Sequence, residues 1–200
     1  IDDSQGDKDT KELAKAEAKI MRAWDHFIVV NTYAKAYNPE TAANDGGIPI
    51  VSKYDLEATP TKSTVAEVYD FIIKDIEDAL PYLQEEPVNV YHPSKAFGYA
   101  LAARVYLFHR DWKKAKEAAE ESLKRNSSLI DYIALADAGG PTKVSTYAKG
   151  GNPEILNYAY MGGTSDNLAY MYGMASPELL QLYGQNDERM NQFFKTTGNS

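Results

Sequence analysis

The sequence has 200 residues, of which 21 are basic and 29 are acidic, so its formal net charge at pH 7 is -8. Proteins that bind nucleic acid need basic surfaces that release phosphate counterions, and this acidic balance therefore argues against a nucleic-acid partner. The sequence contains no cysteine, which excludes a disulfide framework, a thiolate nucleophile and cysteine ligands for zinc within these residues. Hydrophobic residues make up 44% of the chain, enough for one or two globular cores. No stretch approaches the roughly 18 consecutive apolar residues of a membrane-spanning helix.

The first predicted element is a long amphipathic helix over residues 10–36. Its apolar residues recur at helical spacings, as expected when one face of a helix is buried. They are Leu13, Ile20, Trp24, Phe27 and Val30. Pro39 and the turn formers of residues 44–49 cannot continue a helix, so a structured loop is predicted to follow.

A second helix is predicted to begin after Thr64, because Thr64 and Glu67 have the spacing of a capping box. In that motif the threonine hydroxyl and the glutamate carboxylate bond to backbone amides of the first turn that have no helical partner. Apolar residues mark one face of the helix up to Leu83, and Pro81 is expected to loosen the last turn. The helix is therefore predicted to end near Leu83.

Two further helices are predicted to follow, separated by a tight turn. Ser94 is the expected N-cap of a helix that ends near His109, and Asp111 is the expected N-cap of a helix that ends near Arg125. Short polar side chains at these positions accept hydrogen bonds from the first free amides of each helix. The region up to residue 130 is thus predicted to be helical.

The spacing of small residues in these two helices resembles the tetratricopeptide pattern. Ala103 and Ala115 lie where antiparallel helices would touch, and small side chains there allow a close approach. An ordinary antiparallel helix pair with alanines along its contact line would explain the same spacing, so both interpretations stay open. The predicted fold class is mainly α, with tetratricopeptide-like antiparallel helix pairs forming an α-α superhelix over residues 10–130.

Residues 131–200 are predicted to be rich in loops, because pairs of glycines interrupt the short segments between them. Residues 155–161 are predicted to form a short strand. A further helix is predicted after Ser176, with Pro177 at its first position and Gly184 as its stop signal. We expect this region to belong to the same domain as the helices.

No catalytic or metal-binding motif is recognisable. His26, His92 and His109 lie in different predicted elements, and none has a partner at zinc spacing. A phosphate-binding loop, a dinucleotide fingerprint and a serine nucleophile elbow are all missing. Runs of carboxylates on helix exteriors are typical of solvated surfaces. The sequence therefore predicts no catalytic residue, no metal site, no cofactor and no enzymatic activity.

Tyrosine supplies 15 aromatic residues, against 6 phenylalanines and 2 tryptophans, and its occurrences divide into two groups. Tyr69, Tyr99 and Tyr106 fall on helical apolar stripes, where a role in the core is expected. Four others lie in the glycine-rich region, where a ring with a hydroxyl can stack on a sugar and bond to its rim. These candidate ligand-binding residues are Tyr158, Tyr160, Tyr170 and Tyr172. The alternative, that their rings cover the helical layer, stays open.

Several short segments, in order along the chain, resemble those of the SusD/RagB-like family. The first is AEAKIMRAW at residues 16–24, followed by GGIPIV at 46–51 and TVAEVY at 64–69. DIEDALP at 75–81, NPEIL at 152–156 and SPEL at 176–179 continue the resemblance. Segments in register over nearly the whole chain are far more specific than any one of them alone.

The resemblance implies a surface-exposed outer-membrane lipoprotein of Bacteroidetes-type bacteria that is built on tetratricopeptide-like helices. It further implies capture of an oligosaccharide or another nutrient for a SusC-type TonB-dependent transporter. The lipid-anchored cysteine of the family is absent from these residues, and we expect a partial chain. Because family members bind glycans with variable loop aromatics, the resemblance assigns no binding residue. A tetratricopeptide-like adaptor that binds a protein or peptide partner is the alternative function, and a helical glycoside hydrolase is a third hypothesis.

Overall fold

The structure is a computed structural model, which describes residues 1–55, 57, 59–131, 134, 152–158, 175–184, 187 and 189–190. These residues contain five helices and no β-strand, which confirms the prediction of a mainly α fold. The helices are α1 (Lys8–Tyr33), α2 (Val65–Ala79), α3 (Lys95–Phe108), α4 (Trp112–Arg125) and α5 (Pro177–Gln181). No helix among the described residues is long and apolar enough to cross a membrane.

The chain forms two compact units. The first comprises Ile1–Ser127 together with Leu156–Tyr158, so it holds α1 to α4. The second contains α5. The prediction that residues 10–130 and 131–200 belong to one domain stays a prediction.

Helix α1 begins earlier and ends earlier than predicted. Asp7 is its N-cap and accepts a hydrogen bond from the Thr10 amide at 2.9 Å, so the first turn starts at Lys8. Ala34 adopts an extended backbone, with φ -115° and ψ 171°, which stops the helix at Tyr33. The predicted end at residue 36 was therefore too late.

Helix α2 begins with the predicted capping box. The Thr64 hydroxyl accepts a hydrogen bond from the Glu67 amide, and the Glu67 carboxylate accepts one from the Thr64 amide. The helix ends at Ala79, before the predicted Leu83. Pro81 accounts for the difference, because it has no amide hydrogen to continue the helical ladder and its ring crowds the preceding turn.

The predicted caps of α3 and α4 are both present. Ser94 accepts a hydrogen bond from the Phe97 amide, and Asp111 accepts one from the Lys114 amide. The tight turn between the helices is made by Arg110, whose φ of 66° lies in the left-handed region. This conformation reverses the chain within a few residues and brings α4 back along α3.

The predictions for residues 131–200 are confirmed only in part. Ser176 caps α5 and accepts a hydrogen bond from the Leu179 amide, but the helix ends at Gln181, before Gly184. The described part of the predicted strand, residues 155–158, is not a strand, while residues 159–161 lie outside the described residues. The Tyr158 amide donates a backbone hydrogen bond to the Val90 carbonyl oxygen.

In the first unit, the helices pack as two antiparallel pairs. Between α1 and α2 the contacts pair Lys19 with Asp78, Arg22 with Asp75 and Asn31 with Tyr69. Residue numbers therefore rise along one helix as they fall along the other. Between α3 and α4, the Ser122 hydroxyl donates to the Ala96 carbonyl oxygen, and the Lys114 ammonium lies over the Tyr106 ring. Helix α3 also packs against α2.

The core of the first unit lies mainly between α1 and α2. Ile20, Val65, Val68 and Ile72 are fully buried there. Gly98 lets α3 approach the end of α2, since a Cβ atom at this position would lie 2.8 Å from Leu83 Cδ1.

Candidate functional site

Only one of the four tyrosines predicted to contact a ligand lies in the part of the chain that the structure describes. This residue is Tyr158, which is partly exposed in the first unit. Tyr160, Tyr170 and Tyr172 lie outside the described residues. Their proposed role stays a prediction.

The backbone around Tyr158 is attached to the loop that follows α2. The Tyr158 amide donates a hydrogen bond of 2.8 Å to the Val90 carbonyl oxygen. The Asn157 side-chain amide donates a second bond, of 3.2 Å, to the same oxygen. Two donors on one carbonyl fix where the Tyr158 side chain leaves the backbone.

Tyr91 lies next to this attachment and contacts the Tyr158 ring. Their ring centroids are 6.1 Å apart, and the ring planes meet at 71°, an edge-to-face arrangement that is favourable for aromatic pairs. Tyr91 is about half exposed, at 49%. Its amide donates to Asn89 Oδ1 at 3.0 Å, which holds the loop in a turn at this point.

The residue after Tyr91 joins this loop to α1. His92 Nδ1 lies 3.1 Å from Glu17 Oε1 and 3.2 Å from Glu17 Oε2. His92 is exposed, and the side chain of Glu17 is partly exposed. A polar pair that can both donate and accept hydrogen bonds therefore follows Tyr91 directly in the chain.

We call Tyr91, Tyr158, His92 and Glu17 the tyrosine-pair site. The aromatic rings offer apolar faces, and the His92–Glu17 pair, which follows Tyr91 in the chain, offers polar atoms for hydrogen bonds. This combination suits a sugar, which has an apolar C–H face and a rim of hydroxyl groups. The arrangement has the chemistry of a binding site for a neutral polar ligand.

A cleft of about 220 Å³ lies along the first half of α1 and is a weaker candidate. Its lining residues are Glu12, Lys15, Ala16, Lys19, Asp78 and Tyr82. Lys19 is 2.8 Å from Asp78, and the hydrogen bond from Lys19 lowers the pKa of that carboxyl group. Lys15 is paired with Glu12 at 3.1 Å. A ligand would have to displace ion pairs to bind here, so the tyrosine-pair site is the better candidate.

The tyrosines predicted to lie in the core do so. Tyr69 is 1% exposed and Tyr106 is 8% exposed, and burial raises the pKa of both phenols. Tyr99 is partly buried against the same core. The Arg125 guanidinium lies over the Tyr99 ring, 4.6 Å from its centroid. These rings pack the helices and are not available as sugar platforms.

His26 and His109 are packing residues. His26 is buried on α1, where its ring packs against Phe71 of α2. The His109 ring contacts the Tyr37 ring, with centroids 4.2 Å apart and ring planes tilted by 39°. Burial lowers the pKa of His109, which favours its neutral form. Within the described ranges, no group of three His, Asp or Glu side chains could hold a metal ion.

The sequence alone did not identify Tyr91, His92 and Glu17 as candidate site residues. Tyr91 has the same signal that selected Tyr158, namely an aromatic ring in a loop, since it lies between Pro87 and Pro93. Glu17 had no signal of its own. Its position on α1 is typical of a solvated helix face, and only the folded chain brings it to His92.

Comparison with known families gives a clear match. Residues 1–107 match a SusD-like family model described as "Starch-binding associating with outer membrane". No curated protein matches the chain.

Solved structures of this superfamily resemble the chain in fold. A SusD superfamily protein from Bacteroides thetaiotaomicron is 29% identical with a TM-score of 0.60, and the match covers 70% of this chain and 31% of that one. A SusD superfamily protein from Bacteroides vulgatus is 28% identical with a TM-score of 0.60, covering 68% and 31%. A putative sugar binding protein from Bacteroides vulgatus is 26% identical with a TM-score of 0.56, covering 62% and 28%. The match spans less than a third of the length of these proteins.

Proposed function

The chain belongs to the SusD-like family described as starch-binding and associating with the outer membrane, and we propose that it captures an oligosaccharide at the bacterial cell surface. In this proposal the protein binds the glycan without breaking it and passes it to a SusC-type TonB-dependent transporter. The full protein would be held at the outer membrane as a lipoprotein.

The observation that carries the proposal is the tyrosine pair, in which Tyr91 and Tyr158 meet edge to face on the surface of the first unit. The rings are presented by two backbone segments that are bonded to each other at Val90. Because the platform is organised before the ligand arrives, little ordering of the protein opposes binding.

The charge of the chain supports a neutral glycan. A net charge of -8 disfavours polyanions, whereas a neutral oligosaccharide is not repelled. Stacking on two rings must also offset the loss of freedom of a flexible ligand, so we expect modest affinity. A dissociation constant in the micromolar range or weaker, corresponding to roughly 8 kcal/mol or less, is the expected result.

Isothermal titration calorimetry of the 200-residue chain against soluble starch and a panel of neutral and acidic polysaccharides tests the proposal. We expect heat of binding with at least one neutral polysaccharide and about a tenfold or greater loss in a Tyr91→Ala, Tyr158→Ala double variant. Tyr33→Ala is the matched control, because Tyr33 is 76% exposed on α1 and lies outside the tyrosine-pair site. Equal losses in the two variants would overturn the assignment of the site.

Transfer to a transporter needs a separate test. Purification of the full protein from outer membranes should recover a SusC-type transporter with it. Recovery of a different protein partner, with no glycan bound by the folded chain, would instead favour the tetratricopeptide-like adaptor.

A further inference from the structure

His26 on α1 connects this helix to the segment that follows the Gly46–Gly47 pair. The residue is buried, with 8% of its surface exposed. Its Nδ1 lies 2.8 Å from the Arg22 carbonyl oxygen, one helical turn earlier. Its Nε2 lies 3.1 Å from the amide nitrogen of Val51, which donates to it. Both ring nitrogens are therefore hydrogen-bonded.

The two partners fix the protonation state of the ring, because each is a backbone group with one possible role. The Arg22 carbonyl oxygen can only accept, so Nδ1 must carry a hydrogen. The Val51 amide can only donate, so Nε2 must present a lone pair. His26 is therefore neutral, with its single proton on Nδ1, whenever both bonds are made.

The charged side chains around His26 do not replace either of its backbone hydrogen-bond partners. On α1 the nearest are Arg22 and the exposed Asp25. On α2, Phe71 packs on the imidazole with ring centroids 5.1 Å apart. Asp75, also on α2, forms an ion pair with Arg22 through two hydrogen bonds. The bound segment presents its backbone to the ring, and its first charged side chain is Lys53.

We propose that His26 is a proton-sensitive clasp for the segment that begins at Val51. A proton from solution that binds Nε2 takes up the lone pair that holds the Val51 amide. Two N–H groups then face each other, and this bond breaks. The Nδ1 bond to the Arg22 carbonyl oxygen remains, so the imidazolium keeps its place on α1 and releases only the Val51 amide.

The release is local because the chain before Val51 is anchored independently. The Gly47 amide donates to the Ser63 carbonyl oxygen at 2.7 Å, and the Ser63 amide donates to the Ile48 carbonyl oxygen at 3.2 Å. Ile48 is itself buried. Beyond that anchor the segment buries little apolar surface, since Val51 and Tyr54 are exposed. After the Val51 bond breaks, the segment keeps one hydrogen bond to α1, from Arg22 to the Ser52 carbonyl oxygen.

Amide hydrogen exchange followed by NMR on the whole chain tests the clasp. Between about pH 7.5 and about pH 5, the protection of the Val51 amide should fall about tenfold after correction for intrinsic exchange. The Ile76 amide in α2 should change by less than about twofold. The imidazole nitrogen shifts should report the neutral Nδ1–H form at the upper pH.

His26→Gln is the decisive variant, because a glutamine oxygen can accept from the Val51 amide and does not titrate in this range. Its Val51 protection should be independent of pH, whereas His92→Gln, the matched control, should keep the response of the unmodified chain. Three results would each overturn the proposal: constant Val51 protection in the unmodified chain, an undiminished response in His26→Gln, or an equal loss at Ile76. The clasp does not depend on the proposed glycan binding.

Discussion

Arg22 on α1 and Asp75 on α2 are joined by two parallel hydrogen bonds, from Nε to Oδ2 and from Nη2 to Oδ1, each 2.7 Å long. The Asp75 side chain is nearly buried, and the Arg22 side chain is 30% exposed. The remaining nitrogen, Nη1, donates to the Ser52 carbonyl oxygen at 2.7 Å. The bond with Asp75 also raises the pKa of Arg22, so the guanidinium stays charged. One arginine thereby connects two helices and a loop.

Asp75→Asn should destabilise the fold, because it leaves the Arg22 charge without its partner while keeping the shape of the side chain. We expect a loss of about 2 to 3 kcal/mol in the free energy of unfolding, below the value for a fully buried pair since Arg22 is partly solvated. Urea denaturation followed by circular dichroism measures it. Lys74→Ala removes a mostly exposed partner of Asp78 and should cost less than about 0.5 kcal/mol. Similar losses in both variants would contradict the role given to this pair.

Structural features that depend on residues close together in the sequence were predicted correctly. The caps at Thr64, Ser94 and Asp111 are set by residues three positions apart, and all three are present. Helix ends were less predictable, because the end of α1 depends on the extended backbone at Ala34. No local pattern marks that residue as a stop.

The site could be predicted only in part, because its members are distant in sequence. Tyr158 was identifiable as a loop aromatic, but its loop is attached to Val90 through the neighbouring Asn157, which lies 67 positions away in the sequence. His92 and Glu17 are 75 positions apart. Periodicity identifies which face of α1 is solvated, but it does not identify which loop crosses that face.

Gly47→Ala should destabilise the fold far more than the neighbouring Gly46→Ala. A Cβ atom at Gly47 would lie 2.8 Å from the Thr64 carbonyl oxygen, a backbone atom that cannot turn away, whereas the nearest atom at Gly46 is the end of Lys62 at 3.9 Å. We expect a loss of about 1 to 3 kcal/mol for Gly47→Ala and less than about 0.5 kcal/mol for Gly46→Ala. Thermal denaturation of the two variants makes the comparison. Equal melting temperatures would show that the loop can yield at Gly47.

His109 should make the fold less stable in acid. Burial lowers the pKa of His109 in the folded chain. The nearby charges of Asp70 and Asp111 raise it, but their effect is smaller than that of burial. The stability that this neutral ring contributes is fully present above the pKa of the unfolded state, near 6.5. It is lost as the pH falls from that value through the folded pKa, because the unfolded chain takes up the proton first.

The measurement for His109 is the free energy of unfolding as a function of pH in the unmodified chain and in His109→Phe. The variant keeps an aromatic ring against Tyr37 and cannot titrate, so its stability should fall less between about pH 7 and about pH 5. An identical slope in His109→Phe would exclude His109 as the source.

The two rings of the tyrosine-pair site should act as a unit in ligand binding. The ring centroids lie 6.1 Å apart, and the Tyr158 backbone is bonded to the carbonyl oxygen of Val90, the residue before Tyr91. Removal of one ring therefore removes the support of the other. Tyr91→Ala and Tyr158→Ala should each weaken binding of the preferred polysaccharide about tenfold, and the double variant should lose little more than either single variant. Calorimetric titration of all four proteins gives the coupling between the residues. Losses that simply multiply in the double variant would mean that the two rings contact the glycan independently.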